Sequence, residues 1–338
     1  MNQDLFDRLR QKPELWNIFT GDLDPRALKP GMHLLPAVSE YLVSSGLRAS
    51  YPDGKKFAIC LTHDVDEIYP TTAHRVLSGL YCLKNRDLGG FKKYMRSNGS
   101  QAPDYINFRQ IMEFESLYGA KSTFFFMSTS YDPVRFRYNI EDIEDEIRSI
   151  AKAGWEVGLH GGYYSFDDPK AIESEKKRLE RALGREVVGY RNHYLNFRIP
   201  DTWEILEKCG FKYDSTYGFS DDIGFRSGMC HPYRPYNIKR REWMEIFELP
   251  LHIMESAMLD KPRKAWELIS RLLDKAEANK GVLTVLWHNS IFSCPYREDW
   301  RALYVRLLQY GRQRNAWMTS GEEILGWWIK NGCSSDNG

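Results

Sequence analysis

The 338-residue sequence has little excess charge and no long apolar run. Its 47 basic and 46 acidic side chains leave a net charge of +1, so composition gives no reason to expect a nonspecific grip on nucleic acid or an anionic membrane. No stretch approaches the roughly 20 apolar residues that a membrane-spanning helix needs. We therefore predict no nucleic-acid partner and no membrane span.

The sequence also lacks a disulfide pattern and a recognisable export signal. Its six cysteines are scattered and include no C-x-x-C pair, which in a chain of this size favours reduced thiols. The start, MNQDLFDRLRQKPELW, mixes charged and apolar residues and lacks the apolar core of a signal peptide. We expect a cytoplasmic location and a flexible tail at residues 331–338. Nothing in the sequence predicts an oligomeric state.

What the sequence does contain is a regular alternation of two kinds of segment. Apolar runs such as FAICL, STFFFM and VLTVLW alternate with amphipathic segments typical of helices. This alternation predicts an α/β fold with about seven parallel strands, as a distorted (β/α) barrel. Residues 51–330 would form the barrel, and residues 1–50 an N-terminal helical elaboration. The polar, glycine-containing stretch at residues 83–104 predicts a loop.

Histidines and carboxylates gather where the predicted strands end. In parallel α/β folds the carboxyl ends of the strands form one edge, where binding and catalytic sites lie. The residues at or just after such strand ends are His63, Asp64, Asp66, His160, Arg191, His193, Asp214 and His288. Four of the eight histidines in the chain belong to this set, which favours a functional site over chance.

Each of these residues also has a purely structural interpretation. His63 could be a hydrogen-bonded histidine at a strand end, and Arg191 an ordinary ion-pair partner. Asp214 could be a turn residue, because Asp-Ser-Thr suits a turn. Three other histidines are expected to be structural: His33, His74 and His252.

Taken in order, six segments resemble the motifs of the polysaccharide deacetylases with a NodB-homology domain. THDVD is similar to the first motif, Thr-Phe-Asp-Asp-Gly, and STFFFM to the Ala-Thr-Phe-Phe strand. GWEVGLHGGYYS is similar to the second motif, and GYRNHY resembles the Arg-x-Pro-Tyr motif. FKYDST resembles the segment of the fourth motif's aspartate, and VLTVLWHNS the last Leu-His motif. The resemblance covers about residues 55 to 325 and implies metal-dependent removal of acyl groups from amino sugars.

The sequence departs from the family pattern at two places. The second motif is usually His-x-x-x-His, but Tyr164 stands at the position of its second histidine. His193 occupies the place of the third motif's proline, and we expect it to supply the missing imidazole, with His63 and Tyr164 as alternatives. The first motif has Asp-Val-Asp instead of adjacent aspartates. Side chains two residues apart on a strand share a face, so both carboxylates can still enter one site.

The resemblance implies a ligand set for one metal ion. The expected ligands are Asp66, His160 and His193, binding one divalent transition metal. A set of nitrogen and oxygen donors suits Zn, Co, Ni or Fe, and zinc is our first choice.

The resemblance also implies roles for the groups around the metal. Asp64 would be the general base, oriented by Arg191. His288 would protonate the departing amine, with Asp214 fixing its tautomer. The backbone N–H of Tyr194 would help the metal to stabilise the oxyanion.

The substrate is predicted from a loop rich in arginine and tyrosine, GFRSGMCHPYRPYN, at residues 224–237. Such side chains at a barrel mouth suit a sugar carrying phosphate or carboxylate. The predicted substrate-binding residues are Tyr164, Tyr194, Arg226, Tyr233 and Arg234. The alternative is a loop held in place by its own stacking. We expect a nucleotide- or lipid-linked N-acetyl or N-formyl amino sugar in surface polysaccharide biosynthesis.

Two other functions have to be weighed. Loss of the second-motif histidine would suit a carbohydrate-binding protein with a degenerate site. A strand ending in Asp-x-Asp also resembles phosphatases of the haloacid dehalogenase type. That hypothesis leaves His160, His193 and His288 without a role, and Ile68 stands where such enzymes have Thr or Val.

Overall fold

The computed structural model describes residues 3–95, 105–130, 138–259 and 262–331, so the predicted tail lies outside it beyond Asn331. Its strands are β1 (Ala58–Val65), β2 (Thr123–Met127), β3 (Glu156–Gly161), β4 (Gly189–Asn192), β5 (Tyr213–Asp214), β6 (Tyr236–Asn237), β7 (Glu242–Trp243), β8 (Phe247–Glu248), β9 (Leu251–Met254), β10 (Val282–Leu286) and β11 (Trp317–Thr319). Its helices are α1 (Gln3–Arg10), α2 (Pro13–Thr20), α3 (Ala37–Ser44), α4 (Thr72–Lys84), α5 (Leu88–Met95), α6 (Phe108–Leu117), α7 (Glu144–Lys152), α8 (Pro169–Leu183), α9 (Asp201–Lys208), α10 (Pro262–Ala278), α11 (Ser290–Ser293), α12 (Glu298–Gln313) and α13 (Gly321–Asn331). None of the helices in these ranges has the length and apolarity to span a bilayer.

A parallel sheet forms the centre of the molecule. Its strands follow the order β8-β5-β4-β3-β2-β1-β10-β9, and β11 pairs with the first half of β1. All eight residues of β1 are buried, since helices cover one face of the sheet and the other face is turned inward. Thr62 lies beside Thr123 of β2, and Ala58 beside Val282 of β10. The expected alternation of parallel strands and helices is therefore confirmed.

The sheet curls into a distorted barrel, as predicted. Its two outermost strands, β8 and β9, are separated in the chain only by Leu249 and Pro250, so the two edges of the sheet must approach each other. The run IFELPL was expected to form one strand. It forms two, because Pro250 has no N–H to donate and interrupts the ladder.

A segment at residues 218–237, here called the seam segment, covers the gap between β8 and β9. Tyr233 forms an antiparallel bridge with Glu248, with N–H···O distances of 3.1 and 2.8 Å. On the other side the N–H of Gly224 donates to the carbonyl of His252 at 2.8 Å. Both edges of the gap therefore have backbone partners.

The N-terminal helices α1 to α3 pack on the seam segment. Phe19 contacts Tyr233 with ring centroids 5.0 Å apart, and both are buried. The carbonyl of Gly228 accepts hydrogen bonds from the N–H groups of Val38 and Ser39, at 3.0 and 3.1 Å. These contacts join the first 50 residues to the barrel through apolar burial and through the unpaired N–H groups of a helix start.

Part of the predicted loop at residues 83–104 is a helix. Residues Leu88–Met95 form α5, which packs against α4; residues 96–104 lie outside the described ranges. The Asp87 carboxylate accepts a hydrogen bond from the N–H of Gly90 at 2.8 Å and caps the helix start. The prediction was wrong because two glycines hide the helical spacing of Leu88, Phe91 and Met95. We call residues 72–95 the α4–α5 hairpin.

Candidate metal centre and active site

Three strands of the barrel bring an aspartate and two histidines together. Asp66 follows β1, His160 lies in β3, and His193 follows β4. The Nε2 atom of His160 is 3.2 Å from Oδ1 of Asp66, and Nε2 of His193 is 3.8 Å from Oδ2 of Asp66. One donor atom from each residue lies within 4.8 Å of the other two. The shared edge of the parallel strands thus creates a three-residue cluster of candidate metal ligands, here called the metal cluster.

The cluster fits a divalent transition metal. Oδ1 of Asp66 and both ring nitrogens of His193 are buried and have no hydrogen-bond partner among the described residues. Buried polar atoms rarely stay unpaired, because their desolvation goes uncompensated. Nδ1 of His160 lies 3.0 Å from the Arg191 carbonyl, which leaves Nε2 for the cluster. One carboxylate and two imidazoles are a common donor set for zinc and its neighbours.

Electrostatics hold the cluster's carboxylate in its charged form. Burial alone would raise the pKa of Asp66, but the facing imidazoles of His160, His193 and His288 lower that pKa well below its ordinary value. Asp66 is therefore an anion throughout the neutral range, as a metal ligand must be.

On one side of the cluster, Asp64 is held by a buried arginine. Nη1 of Arg191 donates to Oδ1 of Asp64 at 3.0 Å and to Oγ1 of Thr62 at 2.6 Å. The Nε and Nη2 groups of Arg191 donate to the carbonyl and hydroxyl of Ser215, both at 2.8 Å. Oδ2 of Asp64 remains on the cluster side, 3.7 Å from Nε2 of His160. The carboxylate is thus fixed in orientation by one oxygen and directed toward the cluster by the other.

His288, beside Asp66, is held by a buried glutamate. Nδ1 of His288 lies 2.6 Å from Oε1 of Glu255, and Nε2 lies 3.7 Å from Oδ2 of Asp66. Burial disfavours the imidazolium, but the charge and hydrogen bond of Glu255 outweigh it and raise the pKa of His288 to about 10. The imidazole therefore faces the cluster as a proton-bearing group.

The prediction that Asp214 fixes the tautomer of His288 is wrong, because Glu255 occupies that position. The carboxylate of Asp214 accepts hydrogen bonds from the backbone N–H and the hydroxyl of Thr216, at 3.1 and 2.5 Å. Its other neighbour is the carboxyl of Glu248. Asp214 thus closes a local turn, as its structural interpretation proposed. Glu255 went unnoticed, although it directly follows the apolar run of β9.

The buried Asp214–Glu248 pair predicts a pH-dependent stability. Burial, and then the charge of Asp214, raise the pKa of Glu248 well above its ordinary 4.5. The folded protein therefore keeps a proton that the unfolded chain releases. This contribution to stability is complete below about pH 4.5 and is lost as the pH rises through the raised pKa, by at most about 1.4 kcal/mol per pH unit.

We expect Glu248→Gln to lose less stability than the wild type as the pH rises above 4.5. Glutamine can still accept from Nε1 of Trp203, which donates to Glu248 at 2.8 Å, and can donate to Asp214 without titrating. Urea unfolding at a series of pH values measures the difference, with the exposed Glu242→Gln as control. If the free energies of unfolding of the wild type and Glu248→Gln changed with pH in the same way, the folded protein would not hold this extra proton on the pair.

Neither alternative ligand reaches the metal cluster. Nδ1 of His63 is 2.7 Å from the carbonyl of Trp287, and Nε2 is 2.9 Å from Oε1 of Glu115, so both ring nitrogens are engaged in the core. The side chain of Tyr164 is 60% exposed, and its ring packs on Tyr163. His193 is therefore the residue that joins Asp66 and His160.

Three predicted substrate-binding residues of the loop at 224–237 lie away from the site. Arg226 donates to the carbonyl of Gly218 at 2.8 Å and stacks over a tyrosine ring. Tyr233 is buried against the N-terminal helices. Arg234 forms an ion pair with Glu245 at 2.8 Å. The prediction for these three residues was wrong, because Arg226 stacks over Tyr217 and Arg234 pairs with Glu245 on the protein surface. The stacking alternative describes this loop. Tyr164 is exposed and packs on Tyr163, so its role in substrate binding stays a prediction.

A cavity of about 520 Å³ opens above the metal cluster. The metal cluster, Asp64, and the His288–Glu255 pair form its polar part, and Tyr194 and Leu195 belong to its wall. Both of these wall residues have left-handed backbone, with φ of 60° and 55°, which costs on the order of 1–3 kcal/mol each outside glycine. His74, expected to be structural, lines the cavity together with Arg297. The site is thus wide enough for a small sugar ligand.

Known proteins resemble this chain over part of its length. No protein-family model matches it. A peptidoglycan deacetylase of Helicobacter pylori is 28% identical over 119 residues, which are 32% of this chain and 40% of that protein. The match thus spans less than half of the curated relative.

Solved structures also resemble this chain. A Mycobacterium smegmatis protein described as a polysaccharide deacetylase superposes with a TM-score of 0.54 and 22% identity, over 83% of this chain and 94% of that one. A family 4 carbohydrate esterase from Streptomyces lividans, solved with acetate, gives a TM-score of 0.41 at 12% identity, over 78% and 92% of the chains. In fold and in the matching segment, the chain resembles the polysaccharide deacetylases with a NodB-homology domain.

Proposed function

We propose that the chain is a metal-dependent hydrolase that removes an N-acyl group, acetyl or formyl, from an amino sugar. The observation that carries this proposal is the cluster of Asp66, His160 and His193 with its unpaired donor atoms, flanked by two separate proton-transfer groups. Oδ2 of Asp64 lies 3.7 Å from Nε2 of His160, and Nε2 of His288 lies 3.7 Å from Oδ2 of Asp66. The name of the H. pylori relative supports an N-acyl amino sugar as substrate.

Hydrolysis of an amide needs an activated water and a polarised carbonyl. A divalent metal held by Asp66, His160 and His193 would supply both, lowering the pKa of water to about 7. Asp64 is placed to accept the proton of the attacking water through Oδ2, because Arg191 occupies its other oxygen. The water oxygen then forms a bond to the acyl carbon. The backbone N–H of Tyr194 remains our predicted donor to the carbonyl oxygen as it becomes negative.

The leaving amine needs a proton when the carbon–nitrogen bond breaks. His288 can donate it from Nε2, because Glu255 holds Nδ1 at 2.6 Å and so fixes which nitrogen faces the cavity. Base and acid are thus two different residues and need not exchange roles. The Asp-x-Asp phosphatase hypothesis finds no support here, since two imidazoles accompany Asp66 and a buried arginine binds Asp64.

The substrate itself is argued from the cavity. A volume of about 520 Å³ lies within the ordinary range for sites that bind small molecules. Arg297 and His74 at its wall can contact a phosphate or carboxylate, which replaces the role first given to Arg226 and Arg234. A nucleotide-linked or lipid-linked amino sugar remains the proposed substrate class.

Metal titration and acyl release test the function together. We expect the chelator-treated protein to bind one equivalent of Zn²⁺ or Co²⁺ by calorimetry, and the loaded protein to release acetate or formate from N-acyl amino sugars. His193→Ala should weaken metal binding by at least 10–100-fold, whereas His74→Ala should not. Metal binding without release of any acyl group would favour a carbohydrate-binding protein over the hydrolase.

A second prediction concerns Glu255 as a positioning residue. We expect Glu255→Gln to lower kcat by about 100-fold with little change in KM or melting temperature, because the amide cannot stabilise a proton-bearing His288. Glu255→Asp should recover part of the rate, and Ser256→Ala serves as the neighbouring control. A fall in kcat accompanied by a fall in melting temperature would instead indicate a structural role.

A further inference from the structure

The α4–α5 hairpin exposes an unusual number of large apolar side chains. Eleven such side chains are exposed in the described part of the chain, and six of them belong to this hairpin, exposed by 42–62%. They are Val76, Leu77, Leu80, Leu83, Leu88 and Met95. Exposed apolar residues are ordinary when scattered, but a concentration within 24 residues marks an interaction surface.

The exposed residues of α4 form one continuous stripe. Val76, Leu77, Leu80 and Leu83 have the spacing i, i+1, i+4, i+7, which covers about 120° of a helix surface. The buried residues of the same helix are small: Ser78, Gly79 and Cys82. The helix therefore presents its small residues to the protein and its large apolar residues to the outside, the reverse of an ordinary surface helix.

The hairpin that carries this stripe is also rich in basic side chains. The hairpin contains five basic residues and one acidic residue, in a chain whose net charge is only +1. Lys84, Arg86, Lys92 and Lys93 are all exposed. The acidic residue, Asp87, has its carboxylate engaged in capping α5. A surface that combines exposed apolar side chains with excess positive charge matches the interface of an anionic lipid bilayer.

The hairpin is continuous with the candidate active site. Thr71, Ala73 and His74, at the start of α4, line the same cavity as the metal cluster. The stripe begins at Val76, two residues further along the helix. A surface that binds the stripe would therefore lie beside the cavity.

We propose that the α4–α5 hairpin binds the surface of anionic membranes. Its apolar stripe enters the boundary between headgroups and acyl chains, and its lysines and arginine contact the lipid headgroups. Membrane binding rests on the hairpin alone. The further step, access of the cavity to N-acyl sugars carried on lipids, rests on the proposed function as well.

Vesicle flotation tests the proposal with the full chain and no metal. We expect the protein to float with vesicles of phosphatidylglycerol and phosphatidylcholine, less at high salt, and not with phosphatidylcholine alone. Leu77→Glu/Leu80→Glu should abolish flotation. Lys92→Gln/Lys93→Gln should lower the partition coefficient about 25-fold, at about fivefold per lysine. The control is Leu117→Gln, which removes an exposed leucine of α6, 69% exposed, and should float like the wild type.

Three results would overturn the proposal. The first is a hairpin variant with a wild-type melting temperature that floats as well as the wild type. The second is a wild type that binds neither kind of vesicle. The third is a dimer in solution that Leu77→Glu/Leu80→Glu converts to monomer, because a second copy of the chain would then cover the stripe. None of these results depends on acyl release, so failure here is distinguishable from failure of the proposed function.

Discussion

Asp64→Asn should lower kcat for acyl release by about 10²–10⁴-fold while metal is still bound, because an amide cannot take a proton from water. The amide oxygen can still accept from Nη1 of Arg191, which donates to Asp64 at 3.0 Å, so the surrounding structure is retained. Initial rates and elemental analysis of the same sample measure the two quantities.

A matched change two residues away separates proton transfer from metal binding. Asp66→Asn should lose both the metal and the activity, because Asp66 supplies the only carboxylate of the three-residue cluster. An Asp64→Asn protein with wild-type kcat would remove Asp64 from the role of base. Loss of metal in Asp64→Asn would place it among the ligands instead.

His63→Leu should lower the free energy of unfolding by about 3–5 kcal/mol, since it breaks a fully buried pair and leaves a carboxylate behind. His63 and Glu115 are 2.9 Å apart and both are inaccessible to solvent. Glu115 also accepts hydrogen bonds from Tyr304, Trp155 and Ser122, at 2.7, 2.6 and 2.9 Å. Four donors surround this one buried carboxylate. Removing His63 leaves three donors, and the carboxylate is then less well satisfied.

Urea denaturation measures this loss, and the same helix offers a control. Glu113 of α6 is exposed and pairs with Arg109 at 3.2 Å. Glu113→Gln should change the free energy of unfolding by no more than about 0.5 kcal/mol, because exposed pairs contribute little. Wild-type stability in His63→Leu would show that the pair is not a structural element.

The metal cluster was predictable because it depends on a regular feature of the fold. Parallel strands end at one edge, so Asp66, His160 and His193 could be expected there among the eight residues that follow apolar runs. The choice of these three as ligands came from the resemblance to the polysaccharide deacetylases. The barrel was also predictable, because the alternation of strands and helices is visible in the sequence as alternating apolar runs and amphipathic segments.

The partner of His288 was not predictable in the same way. Asp214 and Glu255 both follow short apolar segments, and local sequence does not distinguish them. The choice is made by the pairing of β9 with β10, whose register shifts between Thr284 and Val285, so that β9 ends at Met254 and Glu255 lines the cavity. Such a register depends on long-range closure of the sheet.

In the loop at 224–237, residue type also failed to predict whether the side chains face a ligand site or stack on each other. Arginine beside tyrosine suits a ligand site and an internal stack equally well. In the structure Arg226 belongs to a stack, because its guanidinium carbon lies 4.5 Å from the centre of the Tyr217 ring. That contact joins residues whose proximity depends on the folded seam segment, so no motif at Arg226 could reveal it.

The seam segment has a consequence for the behaviour of the chain at high concentration. Strands with unpaired backbone groups act as templates on which other molecules can add a strand. Tyr233 and Gly224 form backbone hydrogen bonds with Glu248 of β8 and His252 of β9. These two edges therefore offer few free backbone groups to a neighbouring molecule. Shortening residues 218–237 would therefore cause aggregation first, before any effect on the catalytic groups.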